Sequence, residues 1–105
     1  MIIIETPYFT RRVQDLLSDD AYRELQMELV ERPSAGLLIP GGGGLRKLRW
    51  GYQLQGKRGG VRIIYYWVVE HQRILLLFIY PKNERDNLSP AQLKALRHVV
   101  EAEYR

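Results

Sequence analysis

Val61-Arg62-Ile63-Ile64-Tyr65-Tyr66-Trp67-Val68-Val69, then Glu70-His71-Gln72, then Arg73-Ile74-Leu75-Leu76-Leu77-Phe78-Ile79-Tyr80 is the stretch that decides the fold. Strands with one wet face alternate apolar and polar residues. Runs as continuously β-branched and aromatic as these two are strands covered on both faces. Separated by three polar residues, they read as a hairpin of two central strands. Pro81 ends the second, because a proline nitrogen has no proton for the ladder. The longest apolar stretches, Ile63 to Val69 and Ile74 to Tyr80, fall far short of the ~20 residues that span a membrane.

Working outward, Leu45 to Leu54 reads as a third strand by alternation. Leu48, Trp50, Tyr52 and Leu54 share one face, and Lys47 and Arg49 share the other. Gln55-Gly56-Lys57-Arg58-Gly59-Gly60 is the turn into the hairpin. Pro40-Gly41-Gly42-Gly43-Gly44 is read as a flexible connector. It lacks the Lys-Ser or Lys-Thr of a nucleoside-triphosphate loop. Further upstream, Ser18-Asp19-Asp20 starts a helix, with serine as N-cap and acids in the first turn. Tyr22, Leu25 and Leu29 continue it at helical spacing until Pro33 and Gly36. A preceding helix, capped at Thr10 and running to about Leu17, would form a helical hairpin with it. Ile2 to Glu5 is a short first strand broken by Pro7. Downstream, Ser89-Pro90 opens a last helix with proline at its first position, and Leu93, Leu96, Val99 and Val100 give that helix a core stripe. The order β-α-α-β-β-β-α makes a single α+β domain over residues 1–105, an antiparallel sheet packed with helices.

Composition narrows the function. The chain has 105 residues, nearly half of them hydrophobic and none of them cysteine. One core can therefore form without staples, and thiolate metal sites and thiol nucleophiles are excluded. The lack of cysteine suits a reducing, cytoplasmic compartment, and Met1-Ile2-Ile3-Ile4-Glu5 has neither the basic nor the long apolar region of a signal peptide. Charge is unevenly distributed. Residues 1–32 hold four arginines and seven acids. Residues 33–69 hold Arg46, Lys47, Arg49, Lys57, Arg58 and Arg62 with no acid at all. A field left unneutralised over such a length attracts polyanions.

Conventional catalytic sets are missing. His71 lies in the hairpin link and His98 on the last helix, without metal-ligand spacing, so neither a metal nor another cofactor is expected. Ser18 and Ser89 are helix caps. What remains is a set of cations on the sheet: Lys47 and Arg49 on one strand face, Arg62 at the start of the next strand, and Lys82 just past the end of the last. Such a set suits RNA cleavage. Guanidinium groups bind phosphate bidentately and stabilise the charge that builds on it. A lysine held among other cations gives up its proton more readily and can move protons. Tyr65, Tyr66, Trp67 and Tyr80 are potential base-stacking rings, although their spacing fits a core better.

Three blocks, Leu45-Arg46-Lys47-Leu48-Arg49, Gly56-Lys57-Arg58-Gly59-Gly60-Val61-Arg62-Ile63-Ile64-Tyr65-Tyr66, and Tyr80-Pro81-Lys82-Asn83-Glu84-Arg85 with Leu88-Ser89, resemble the RelE/HigB superfamily of bacterial toxins. The second block looks closest to the HigB-type branch, and the element order matches across the chain. The resemblance implies a microbial-RNase-like fold and a metal-independent endoribonuclease that enters the ribosomal A site and cuts mRNA. It implies a cognate antitoxin as partner, and contact with operator DNA only through the complex with that antitoxin. It implies catalytic roles for Lys47, Arg49, Arg62 and Lys82, with Arg49 and Arg62 on the phosphate and Lys47 or Lys82 moving protons. Arg46, Lys57, Arg58, Asn83 and Arg85 then complete the RNA- and ribosome-binding set. Two positions depart from the pattern. Asn83 stands where some relatives have an arginine, and Ser89 where some have a stacking tyrosine. Two other readings share the topology: a toxin that inhibits gyrase by binding, of the ParE type, and a plain RNA- or ribosome-binding module.

Overall fold

The structure, a computed structural model, describes residues 1–51, 60–85 and 87–104. In chain order its elements are β1 (Ile2–Glu5), α1 (Pro7–Leu16), α2 (Asp19–Glu31), β2 (Leu37–Leu38), β3 (Leu45–Trp50), β4 (Val61–Val68), β5 (Arg73–Pro81) and α3 (Pro90–Tyr104). The α+β class and the helical hairpin are as expected. A 3₁₀ turn at Val69–His71 links β4 to β5, and Gln72 closes it in the left-handed region at φ 49°.

The five strands lie in the order β1-β5-β4-β3-β2. Only β1 departs from the antiparallel arrangement. It runs parallel to β5, with Ile2 opposite Arg73 and Glu5 opposite Leu76. The hairpin strands β4 and β5 sit inside and are covered on both sides. Phe9 and Val13 of α1 and Ala21, Leu25 and Leu29 of α2 pack on Ile63, Tyr65, Ile74, Leu76 and Ile79. On the other face Val100 of α3 packs with Leu45, Ile64, Leu75, Leu77 and Tyr80. Each fully buried leucine, isoleucine or phenylalanine among them contributes about 1.5–3 kcal/mol.

A β-bulge interrupts the β4–β5 ladder. Ile64 pairs with Phe78, but the next residue, Tyr65, pairs with Leu76. Leu77 is therefore extra, and Leu77 and Phe78 both belong to the α3 face. The pleat alternates, so this one insertion reverses the facing of every later residue of β5. Ile74 and Leu76 face α1 and α2. After the bulge Ile79 takes that face, and Tyr80 turns to α3.

The first helix starts earlier than expected. Pro7 opens it, and its N-cap is Thr6, whose hydroxyl oxygen accepts from Phe9 N at 3.2 Å. Pro7 suits that position because no amide proton is needed there. The Thr6 hydroxyl also donates to Leu77 O at 2.9 Å, so the carbonyl of the extra residue is bonded to the start of α1. The other caps follow the sequence. Ser18 Oγ accepts from Ala21 N, and Ser89 with Gln92 forms a reciprocal capping box. The glycine stretch is a defined turn. Ile39 N donates to Leu45 O and Gly42 N to Ile39 O, while Gly41, Gly43 and Gly44 take φ of 72°, 65° and 104°. Those left-handed angles, more than flexibility, are what the glycines supply.

Candidate active site

Strand β3 is set by its apolar side. Leu48 and Trp50 pack toward α2, and Trp50 Nε1 donates to Ala21 O at 3.0 Å. Alternation then turns Lys47 and Arg49 to the opposite face, on the same side as Leu45 and α3. Arg49 is directly opposite Arg62 on β4, and Arg62 is directly opposite Tyr80 on β5. One row across three strands thus carries two arginines. Side chains of residues directly opposite leave the backbone about 4.5–5.5 Å apart, and like charges there cost stability until a counter-charge lies between them. A phosphate is such a counter-charge.

The two arginines differ in exposure. Arg49 is open to solvent, whereas Arg62 is 2 % exposed. The Arg62 guanidinium donates to Val61 O at 3.4 Å, and the residue takes part in at least one further interaction. Lys47 sits one row along, opposite Ile64, half-buried, with its Nζ donating to Asn87 Oδ1 at 2.8 Å. Lys82 is exposed. Its amide donates to Gly60 O at 3.0 Å, which carries the ladder one step past the Val61–Pro81 pair. The fold therefore gathers Lys47, Arg49 and Arg62 on one face, with Lys82 at the strand end beyond Tyr80.

The wider binding set divides. Arg46 lies on the other face of β3, opposite Tyr65, and its guanidinium donates to Gly36 O at 2.8 Å and Ser34 O at 3.4 Å. Its charge is committed to the loop between α2 and β2, away from Arg49. Tyr65 completes that tie. Its hydroxyl donates to Pro33 O at 2.7 Å and accepts from Gly36 N at 2.8 Å. Burial pushes the Tyr65 phenol pKa up, so the group stays a neutral donor and acceptor. Asn83 is exposed in the turn after β5, where Glu84 bridges to Arg12 at 3.3 Å. Arg85 is half-buried, and its Nε makes no hydrogen bond among the described residues. Lys57 and Arg58, with Tyr52 and Leu54 of the expected longer strand, lie outside the described residues.

The aromatic residues on this face are already occupied. Tyr80 is fully buried, Phe78 stacks on Tyr8 with ring centres 4.7 Å apart, and Tyr66 stacks on Tyr104 at 6.3 Å. Asn87 is the residue that sequence reasoning missed. It stands in the irregular connector before Ser89, where no periodicity marks it. With Lys47 it borders a cleft of about 230 Å³, completed by Ile39, Pro40, Leu88 and Leu93. Among the described residues no three His, Cys, Asp or Glu side chains gather as metal ligands, and no helix is long and apolar enough to cross a membrane.

A small five-stranded sheet thus lies between a helical hairpin and a single helix, with paired arginines on the single-helix face. The solved structure of a double mutant of the Escherichia coli toxin RelE in the free state has this fold. It superposes with a TM-score of 0.60 at 13 % identity, covering 93 % of this chain and 94 % of that one. The family model described as the RelE toxin of the RelE/RelB toxin–antitoxin system matches residues 1–104, and the chain belongs to that family. A toxin of such a system has a cognate antitoxin as its partner.

Proposed function

We propose that this chain is a ribosome-dependent, metal-independent mRNA endoribonuclease that its antitoxin holds in check in the cytoplasm. The observation that carries the reading is the direct pairing of Arg49 with Arg62, with Lys47 one row away on the same face. In the reaction the 2′-oxygen of one nucleotide attacks the adjacent phosphorus and its proton passes to a lysine amine. The bond from phosphorus to the 5′-oxygen breaks, and that oxygen takes up a proton as it leaves. Arg49 and Arg62 hold the non-bridging oxygens and stabilise the charge that grows on them, as a metal would elsewhere. Lys47 and Lys82 stand on either side of the arginine row as the proton-transfer groups. Arg85 and Asn83, with Lys57 and Arg58, supply the grip on RNA and ribosome.

One observation favours a second reading. Arg62 is 2 % exposed, and a cation so enclosed meets a phosphate only if the site opens. A toxin that acts by binding alone, on gyrase or the ribosome, needs no such opening. Primer extension on mRNA from translating ribosomes decides between them. The nuclease reading expects new 5′ ends within codons, lost in Arg49→Ala and Arg62→Lys at equal levels of folded protein. Toxicity without such ends, or full cleavage by both variants, refutes it.

A further inference from the structure

We infer that the cleft beside Lys47 is a subsite for one unstacked RNA base, next to the phosphate held by the arginine row. The inference rests on the nuclease reading for its choice of ligand and on the cleft itself for its residues. The walls are apolar: Ile39 and Pro40 before the glycine turn, Leu88 in the connector, and Leu93 on α3. One rim is polar, formed by Lys47 and Asn87, which are hydrogen-bonded to each other at 2.8 Å. An apolar slot with a few convergent polar groups is the usual form of a small-ligand site. At about 230 Å³ it is smaller than the ~300–1,000 Å³ of drug-sized pockets, so it fits a single ring system better than a whole nucleotide.

The neighbouring residues give the cleft that task. Proteins that bind single-stranded RNA usually stack its bases on aromatic rings. On this face those rings are committed: Tyr80 is buried, Phe78 lies against Tyr8, and Tyr66 against Tyr104. A base turned out beside Lys47 meets aliphatic walls instead. Asn87 offers what reads a base edge, because a carboxamide is both donor and acceptor. Its oxygen accepts from Lys47, and among the described residues its NH2 group makes no hydrogen bond. A base bound there competes with Asn87 for Lys47 and brings substrate chemistry to the lysine assigned to proton transfer.

Methyl-labelled protein titrated with the four nucleoside 5′-monophosphates, and with ribose 5-phosphate as a baseless control, tests the subsite. At least one nucleotide should shift the Ile39, Leu88 and Leu93 methyl signals saturably, and ribose 5-phosphate should leave them unmoved. Asn87 is exposed, so Asn87→Ala keeps the fold. That variant should narrow the spread of affinities among the four bases by about tenfold, the scale of one good base contact. Methyl signals that stay silent, or that respond equally to the baseless sugar phosphate, overturn the inference even if ribosomal cleavage is found. Base-dependent shifts in a protein that cuts no mRNA uphold the subsite and remove the nuclease reading.

Discussion

Arg46 and Arg49 lie three residues apart on one strand and face opposite ways, so replacing each with alanine separates structure from chemistry. Arg49 is open to solvent, and Arg49→Ala should change stability by no more than about 0.5 kcal/mol. If it holds the reacting phosphate, its loss removes one transition-state donor, a loss of about 10²–10³ in rate. Arg46 is tied to Gly36 O at 2.8 Å in a part-buried setting. A hydrogen bond from a charged group contributes about 1.5–3 kcal/mol, and the lower figure applies because Arg46 is partly solvated. At about 4–8 °C per kcal/mol for a small domain, Arg46→Ala should melt roughly 6–12 °C lower. Its cleavage rate should be that of the parent when measured well below that melting point. Thermal melts and single-turnover cleavage on programmed ribosomes read the two effects separately. Loss of cleavage in Arg46→Ala with unchanged melting would refute the assignment of faces, as would a fall in stability of Arg49→Ala with cleavage intact.

Two further outcomes follow from the packing. A Cβ at Gly36 would lie 2.8 Å from Tyr65 Cε1 and 3.0 Å from Lys47 O, so Gly36→Ala should lose about 1–3 kcal/mol in urea unfolding. An unchanged midpoint would mean that the loop relaxes freely. Alkaline stability should fall as pH rises through about 10, the usual tyrosine value. Burial, and then the hydrogen bond to Glu5, hold the Tyr22 phenol well above that value, and burial raises Tyr65 as well. The folded state thus keeps protons that the unfolded chain releases, and their stabilisation is complete below pH 10 and lost above it. Tyr22→Phe should flatten part of that decline in melts taken from pH 8 to 11, and an identical slope would contradict the assignment.

The parts of this fold that were legible in sequence are those where polar residues punctuate the chain. Ser18 before two acids and Ser89 before Pro90 named two helix starts, and both serines are N-caps. Lys47 and Arg49 alternate with Leu48 and Trp50, which fixed their common face. Thr6 is not marked as a cap in the sequence, because Pro7 reads equally well as a strand breaker and as a first helical residue. The two-residue strand β2 is shorter than any periodicity can mark. Its exposed leucines carry no pattern of burial.

The site was less legible for a reason that lies in β5. Ile74 to Tyr80 is apolar without a break, so the sequence holds no record of which residue faces which side. The bulge at Leu77 makes that choice. Alternation continued from Ile74 and Leu76 would turn Tyr80 toward α1 and α2. With one residue inserted, Tyr80 instead faces α3 beside Arg62. The insertion is held from outside the hairpin, since the Leu77 carbonyl accepts from the Thr6 hydroxyl at the start of α1. The floor under the arginine row thus depends on a contact between residues 71 positions apart, which no local pattern encodes. Arg62 could be named a site residue because it is the one cation in an apolar run. Its neighbours on β5 follow only from the register.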